Sequence, residues 1–361
     1  MPRPFIGQLE PASLVRHFQA HPPTGFAAGA GPRAMPVFST RFDLLTTAEP
    51  AFRRRMEKLP LFRYWRRWLQ PRTLFAGATV SEYAWLPAGG DAPALARELV
   101  AANGKAWPFL IVKDLPQASP LLDADANAFV DDFVKACEAA GFVIVEGQAL
   151  AWVPIDFDSE DAYLKRLSRG ARRNIRRKLR SRDQLEVQAL HTGGAELLDP
   201  ALQDACIALY EQVYAQSEVH FDHLDASFFR AVFEDADNGG VMFVYRHQQQ
   251  MIGWNLCFEH AGGLVDKYVG FDYPAARDHN LYAVSWMHNL SYARERGLTH
   301  YIAGWTDPEV KSHLGAHFTF TRHAVRPRNR LLRAILRRLA PYFESDRQWY
   351  EQRTAHVSHR T

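Results

Sequence analysis

The sequence predicts an α/β fold in two units, on three observations. The chain has 361 residues, more than the roughly 100–200 of a usual compact domain. Runs with strand-like and helix-like apolar spacing alternate along both halves. Three consecutive β-rich runs, Val241 to Arg246, Met251 to Glu259 and Leu264 to Phe271, are joined by the short polar links His247 to Gln250 and His260 to Gly263, the pattern of an antiparallel meander.

Composition narrows the class. With 47% hydrophobic and 23% charged residues, the chain has enough apolar material for sizeable cores, which excludes a disordered or collagen-like protein. Cys137, Cys206 and Cys257 are odd in number and widely spaced, which argues against a disulfide framework or a cysteine zinc site. Residues 1–21 hold Glu10 and several prolines but no apolar run, so they do not resemble a secretory signal. No stretch reaches the roughly 18 uncharged apolar residues of a membrane helix. The expectation is a soluble, cytoplasmic protein, with peripheral membrane contact left open.

The elements follow in order. The Pro-, Gly- and Ala-rich stretch Gln19 to Pro36 is expected to be a long irregular loop. Phe38 to Leu45 reads as a strand, Pro50 to Trp68 as an arginine-rich helix, Leu74 to Leu86 as a strand and Ala92 to Asn103 as a helix. Pro108 to Lys113 is a buried strand, Asn127 to Ala140 a helix and Phe142 to Glu146 a strand, which completes a first unit over 1–158. The second, over 159–325, has strand Glu186 to Leu190, helices Pro200 to Ser217 and Ala226 to Ala236, and then the meander. A helix from Leu281 to Arg296 closed by Gly297, strand His300 to Ala303, a short helix to Leu314 and strand Phe318 to Val325 end this unit. Residues 326–361 form a basic tail whose stretch Arg326 to Phe343 is amphipathic. Such a helix either packs on the parent domain or lies on an anionic membrane.

Charge is distributed unevenly. The net charge is +3, yet between Ala162 and Arg182 there are ten cations and no acid, so the remainder carries −7. Read as one helix, this segment places Leu164, Leu167, Ala171, Ile175 and Leu179 on an apolar face and surrounds it with guanidinium groups. It is either a groove for phosphate or carboxylate groups, with Arg172, Arg173 and Arg176 as ligands, or a solvated helix paired with the acidic remainder.

Other residues invite chemistry by type and position. On the strand Leu264 to Phe271, strict alternation places Asp266, Tyr268 and Gly270 on one face. An acid in so apolar a strand is either a general base, its pKa raised by desolvation and Tyr268 beside it as positioner or acid, or a structural ion-pair partner. Asp272 is an alternative base or a turn former. Asp307, followed by Pro308, is suited to cap the short helix that carries Lys311. The loop Ser217 to His223, between the first two helices of the second unit, holds Glu218 and His220. Its His-x-Asp-His pattern lacks two further ligands at a convincing spacing, so no metal site is expected.

The order strand, two helices, three antiparallel strands, helix, strand, helix, strand is that of the GNAT acyltransferase fold. The segments SRGARRNIRRKLR, LVDKYVGFDYPAARDHNLYAVSWMHNLSYARERGLTHYIAGW and TDPEVKSHLGA resemble the GNAT-related family associated with cellulose biosynthesis and peptidoglycan recognition. That family is similar to the Fem-type aminoacyltransferases. The resemblance extends over about Tyr163 to Val325 and is architectural before that. It implies tandem GNAT-like halves with mixed, largely antiparallel sheets flanked by helices, the first half degenerate. It also implies transfer of an acyl or aminoacyl group to an amine, with acyl-CoA or aminoacyl-tRNA as co-substrate, no tightly bound cofactor, and a small-molecule or cell-envelope-precursor acceptor. Lys311 matches the family's lysine before a glycine, Trp305 lies where this fold places its cleft, and the resemblance implies acceptor binding by Trp305 together with Glu218 and His220, whose loop is where such folds place acceptor-binding residues. The GNAT pyrophosphate loop aligns with Arg277 to Tyr282, which assigns Arg277 and Asn280 to the donor, but both glycines of that loop are missing. Their loss favours the Fem-like donor, a charged tRNA. The alternative function is a non-catalytic GNAT scaffold that holds RNA or an anionic glycan precursor.

Overall fold

The computed structural model describes residues 4–44, 50–217, 221–343, 346–347 and 349–351. The chain opens with β1 (Phe5–Ile6) and α1 (Ala12–Ala20), which buries Leu14, Val15 and Phe18. The stretch expected as a loop contains β2 (Ala27–Ala30), antiparallel to β3 (Pro36–Arg41). Its alanines and glycine carry no apolar alternation, so the strand has no sequence signal. The arginine-rich helix expected over 50–68 is two short ones, α2 (Pro50–Glu57) and α3 (Phe62–Trp65). Pro60 lacks the N–H that a continuing helix needs, and Leu61 takes a left-handed φ of 58°. There follow β4 (Arg72–Ala76), β5 (Leu86–Pro87), α4 (Ala92–Asn103), β6 (Phe109–Gln117), α5 (Ala124–Ala139) and β7 (Val143–Pro154). The Asp91 and Asp123 carboxylates cap α4 and α5 by accepting from Ala94 N at 2.9 Å and Ala126 N at 2.8 Å.

The expected continuous basic helix is broken into α6 (Glu160–Arg166) and α7 (Arg169–Lys178). Leu167 is extended, and the Ser168 hydroxyl accepts from Ala171 N at 3.2 Å, which starts a new helix instead of continuing the old one. Then come β8 (Glu186–His191), α8 (Pro200–Gln216), α9 (Ala226–Glu234), β9 (Gly240–His247), β10 (Gln250–His260), β11 (Gly263–Phe271), α10 (Ala275–Asp278), α11 (Leu281–Glu295), β12 (His300–Gly304), α12 (Pro308–Leu314), β13 (His317–Pro327) and α13 (Arg330–Leu339). From β8 onward this is the GNAT order of elements. Among the described residues no helix is long and apolar enough to cross a membrane.

The chain divides into two compact units that are discontinuous in sequence. Unit one is residues 1–8, 25–149 and 319–361; unit two is 9–24 and 150–318. The sequential boundaries expected above differ from this because pairing partners, not chain order, decide membership. Helix α1 joins unit two by packing on α9, where His17 and Asp235 meet at 2.7 Å. The greater part of β13 joins unit one by pairing with β6.

In unit one the strand order is β2-β3-β4-β6-β13-β7. Here β4 and β6 are parallel and α4 packs on α5 over a core that includes Leu74, Leu95, Leu110, Val112 and Phe133. In unit two the order is β7-β12-β11-β10-β9-β8, with β11 and β12 parallel and β8 to β11 antiparallel. One face of this sheet carries α11 over Phe243, Leu264 and Phe271. On the other, Phe229 and Phe233 of α9 meet Trp254 edge-on at 6.3 and 5.9 Å.

Candidate active site

The site is built where two parallel strands of unit two part. β11 and β12 pair only over Gly263–Val265 and His300–Ile302, while β11 runs on to Phe271. Asp266 is therefore the first residue past the last pair. In the β10 register Leu256 faces Tyr268 and Cys257 faces Asp266, so Lys267 is an extra residue, a β-bulge. The bulge overturns the expected shared face. One extra residue puts Asp266 and Tyr268 on opposite sides of the sheet. Tyr268 is buried edge-on against Phe228 and Phe229 of α9, at 5.8 and 5.4 Å. Asp266 instead meets α11 and β12.

Neutral donors surround the Asp266 carboxylate. Tyr301 Oη donates to Oδ2 at 2.8 Å, Asn289 Nδ2 donates to Oδ2 at 3.0 Å, and Asn255 Nδ2 lies 3.5 Å from Oδ1. These donors are themselves fixed. Tyr245 Oη donates to Asn255 Oδ1 at 2.9 Å, and Asn255 Nδ2 reaches Asn289 Oδ1 at 3.1 Å. Burial pushes the Asp266 carboxyl above the ordinary carboxylate range; the Tyr301 and Asn255 bonds and the charge of Lys311 pull the other way. The adjoining Cys257 thiol is pushed well above its usual range by burial and by Asp266, so it is held protonated and unsuited to nucleophilic attack.

Lys311 joins this cluster from α12. It is only 3% exposed, and its charge is felt at Asp266. Gly304, with φ 78°, borders both groups: a Cβ there would stand 3.9 Å from Lys311 Nζ and 3.9 Å from the Asp266 carbonyl oxygen. Trp305 is half-buried in the segment that links β12 to α12. Asp307 does not cap α12 with its side chain as expected; it turns the chain with φ 52°. Asp272 makes a turn, its carbonyl accepting from Ala276 N at 2.7 Å. Glu218 and His220 lie outside the described residues, while His223 pairs with Glu211 at 2.8 Å.

The start of α11 lies beside the basic segment. Asn280, with φ 52°, donates from Nδ2 to Ser181 Oγ at 3.1 Å, and α7 packs on α11 and α12. Arg277 is exposed, donates to Gln216 Oε1 at 2.6 Å and lies 4.7 Å above the Tyr273 ring. Four of the ten cations are ion-paired with acids just upstream. Lys165 and Arg176 pair with Asp161, Arg166 with Asp156, and Arg182 with Glu160. Arg176 is thus an ion-pair residue rather than an open ligand. Arg172 and Arg173, with Arg169, Lys178 and Arg180, have no carboxylate within 4.0 Å among the described residues.

Sequence reasoning passed over Tyr301, Asn289 and Asn255. Their signal is an amide in an apolar run: Asn255 stands between Trp254 and Leu256, Asn289 in the buried face of α11, and both are 0% exposed. A buried amide requires partners, and here the partners converge on the one acid of the neighbouring strand.

A family model described as FemAB-like, peptidoglycan biosynthesis/recognition, matches residues 111–360. No curated protein matches the chain by sequence. Among solved structures, a domain assigned to lysylphosphatidylglycerol synthetase from Agrobacterium fabrum is similar with TM-score 0.53 and 14% identity, over 91% of each chain. L-PGS from Bacillus licheniformis is similar with TM-score 0.53 and 10% identity, over 92% of this chain and 98% of that one. FemX matches with TM-score 0.48 and 13% identity, over 86% and 94%. At such identities the first two likenesses show the fold.

Proposed function

We propose, from the premise that the chain belongs to the FemAB-like family, that it transfers an acyl or aminoacyl group from an activated donor to an amine at the fork of β11 and β12. The observation that carries this reading is Asp266, an acid with a raised pKa held by neutral donors beside the buried Lys311. A carboxyl moved towards neutral pH is suited to accept the proton of an attacking ammonium. The freed amine nitrogen attacks the donor carbonyl carbon. A C–N bond forms, and the carbonyl π-pair moves to oxygen. Collapse of that oxyanion breaks the C–O bond of an ester donor or the C–S bond of a thioester, and the leaving group departs with the electron pair and takes up the proton that the new amide nitrogen loses. The Lys311 ammonium is suited to stabilise the negative charge that develops, an effect that is strong in a water-poor site.

Aminoacyl-tRNA is the favoured donor over acyl-CoA. The segment Arg277 to Tyr282 lacks the glycines of a pyrophosphate loop, whereas Arg172 and Arg173 offer unpaired guanidinium groups of the kind that take phosphates. The acceptor class that fits the family is an amine-bearing cell-envelope precursor, with a small-molecule amine as the simpler case. The test supplies purified protein with radiolabelled aminoacyl-tRNA or acetyl-CoA and an amine acceptor. Label should pass from the tRNA and not from acetyl-CoA, and D266N should reduce the rate. Transfer from acetyl-CoA alone would overturn the donor, and full activity in D266N would overturn the site.

A further inference from the structure

Exposed large apolar side chains are concentrated in two arginine-rich segments of unit one. Six of the eight such residues among the described ones are Leu59, Leu61, Tyr64, Leu331, Leu332 and Ile335. The first three fall in 50–69, where seven cations accompany the single acid Glu57; the last three fall in 317–343, which has seven arginines and no acid.

Helix α13 shows the arrangement most clearly. At about 100° per residue, Leu331, Leu332, Ile335, Leu336 and Leu339 lie within one arc, and Arg330, Arg333, Arg337 and Arg338 lie on the opposite one. Arg333 folds back onto the chain, its Nε donating to the Pro327 carbonyl at 2.8 Å and its Nη2 to that of Arg328 at 3.2 Å. The helix is anchored on that side. Leu331 is left 68% exposed, Ile335 44% and Leu332 42%. Arg328, Arg330, Arg337 and Arg338 are exposed and have no carboxylate within 4.0 Å among the described residues.

We propose that unit one binds an anionic membrane surface, with α13 lying in the interface plane and the segment 50–69 as a second contact. The leucines and isoleucine would enter the acyl boundary while the arginines meet headgroup phosphates. Charge selects this occupant. A second copy of the same face would bring the arginines of α13 against one another with no acid on that helix to meet them, and the second segment offers the single acid Glu57 against seven cations. RNA would satisfy the arginines but leave Leu331, Leu332 and Ile335 in water.

The test is sedimentation of the full chain with phosphatidylcholine vesicles, with and without phosphatidylglycerol. The protein should pellet only with the anionic vesicles, and added salt should release it. L331S/L332S/I335S should weaken retention roughly tenfold or more, and R330Q/R337Q/R338Q roughly fivefold per arginine at low salt. Thermal melting checks both variants; should the serine variant unfold, the glutamine variant decides. No pelleting with anionic vesicles, or unchanged retention in a folded variant, overturns the proposal. So does a wild-type dimer that the serine variant breaks, or a tRNA complex that the serine variant retains in full while vesicles bind neither.

Discussion

Replacing Tyr301 with Phe removes one hydroxyl from the candidate site. The ring that meets Trp286 edge-on at 5.2 Å stays, and only the hydroxyl is removed, which donates to Asp266 Oδ2 at 2.8 Å and accepts from Asn289 Nδ2 at 3.2 Å; Asn289 keeps its own bond to Asp266 Oδ2. That bond is the leading influence opposing the burial that raises the Asp266 pKa, and it acts by favouring the ionised form. A hydrogen bond to a charged group is worth about 1.5–3 kcal/mol. Its loss should move ionisation of Asp266 upward by roughly one to two pH units, at about 1.4 kcal/mol per unit. The assay is kcat/KM as a function of pH for wild type and Y301F. If Asp266 is the base, activity rises with pH as it ionises, and in Y301F this acid limb moves to higher pH while the plateau is kept. An acid limb that stays in place refutes the assignment. A plateau that collapses at every pH would mean that Tyr301 acts in some way other than through Asp266.

Further substitutions probe the rest of the site and its support. K311M should lower kcat by about 10²–10³ if the ammonium stabilises developing charge, with a melting temperature near wild type; full activity would remove Lys311 from the mechanism. Because the folded pKa of Asp266 is raised, the native state holds its proton more tightly than the unfolded chain. Wild type should therefore lose stability as pH rises from the ordinary carboxylate value through the raised one. D266N should lack this decline in denaturant titrations at successive pH values. R172Q/R173Q should weaken tRNA binding and flatten its log–log salt dependence by roughly 1.5, two phosphate contacts being lost; an unchanged slope would count those arginines as solvated. In G270A the new Cβ would stand 2.2 Å from Trp254 Nε1 and 2.9 Å from Leu209 Cβ. This overpacking should destabilise by about 1–3 kcal/mol in denaturant unfolding.

Elements with strong local signals were legible in the sequence. Helix α4 runs over Ala92–Asn103 as its apolar spacing predicts, the meander of β9, β10 and β11 pairs as its short polar links require, and α11 stops before Gly297 at φ 67°. Features decided by a partner strand were not legible. The bulge at Lys267 exists only in the register between β10 and β11, and a period-two count along one strand cannot contain it. The same limit explains β2, whose Ala and Gly residues are a strand only because β3 lies beside them. The break at Leu167 was marked in part. Ser168 is a good helix starter, but the steady spacing of apolar residues across it reads as one continuous face. At the site, Asp266 was legible as an acid out of place in an apolar strand, and Lys311 through the resemblance of its segment to a family motif. Tyr301, Asn289 and Asn255 gain meaning only from the carboxylate that they share.

Unit one has a fork of its own, and its contents bear on where chemistry belongs. Parallel β4 and β6 pair over Thr73–Ala76 and Phe109–Val112, and the next residues of β6 are Lys113 and Asp114. Here too an aspartate stands just beyond the last pair, with a left-handed φ of 57°. Its surroundings differ from those of Asp266. Lys113 Nζ contacts the Asp114 carboxylate directly and donates to the Ala78 carbonyl at 3.0 Å, while Asp114 N donates to His323 Nδ1 at 3.0 Å. A carboxylate closed by an adjoining ammonium is already engaged and is not open to a substrate amine. Freeing it would leave an uncompensated charge in a largely buried place, a loss of about 3–5 kcal/mol for a broken buried pair. Asp266 is bound differently. Its hydrogen bonds come from neutral hydroxyl and amide groups, and burial keeps its proton affinity high. Of the two aspartates at a strand fork, Asp114 is taken up by the neighbouring ammonium, whereas Asp266 is met by neutral donors and has a carboxyl raised by burial, which suits a general base.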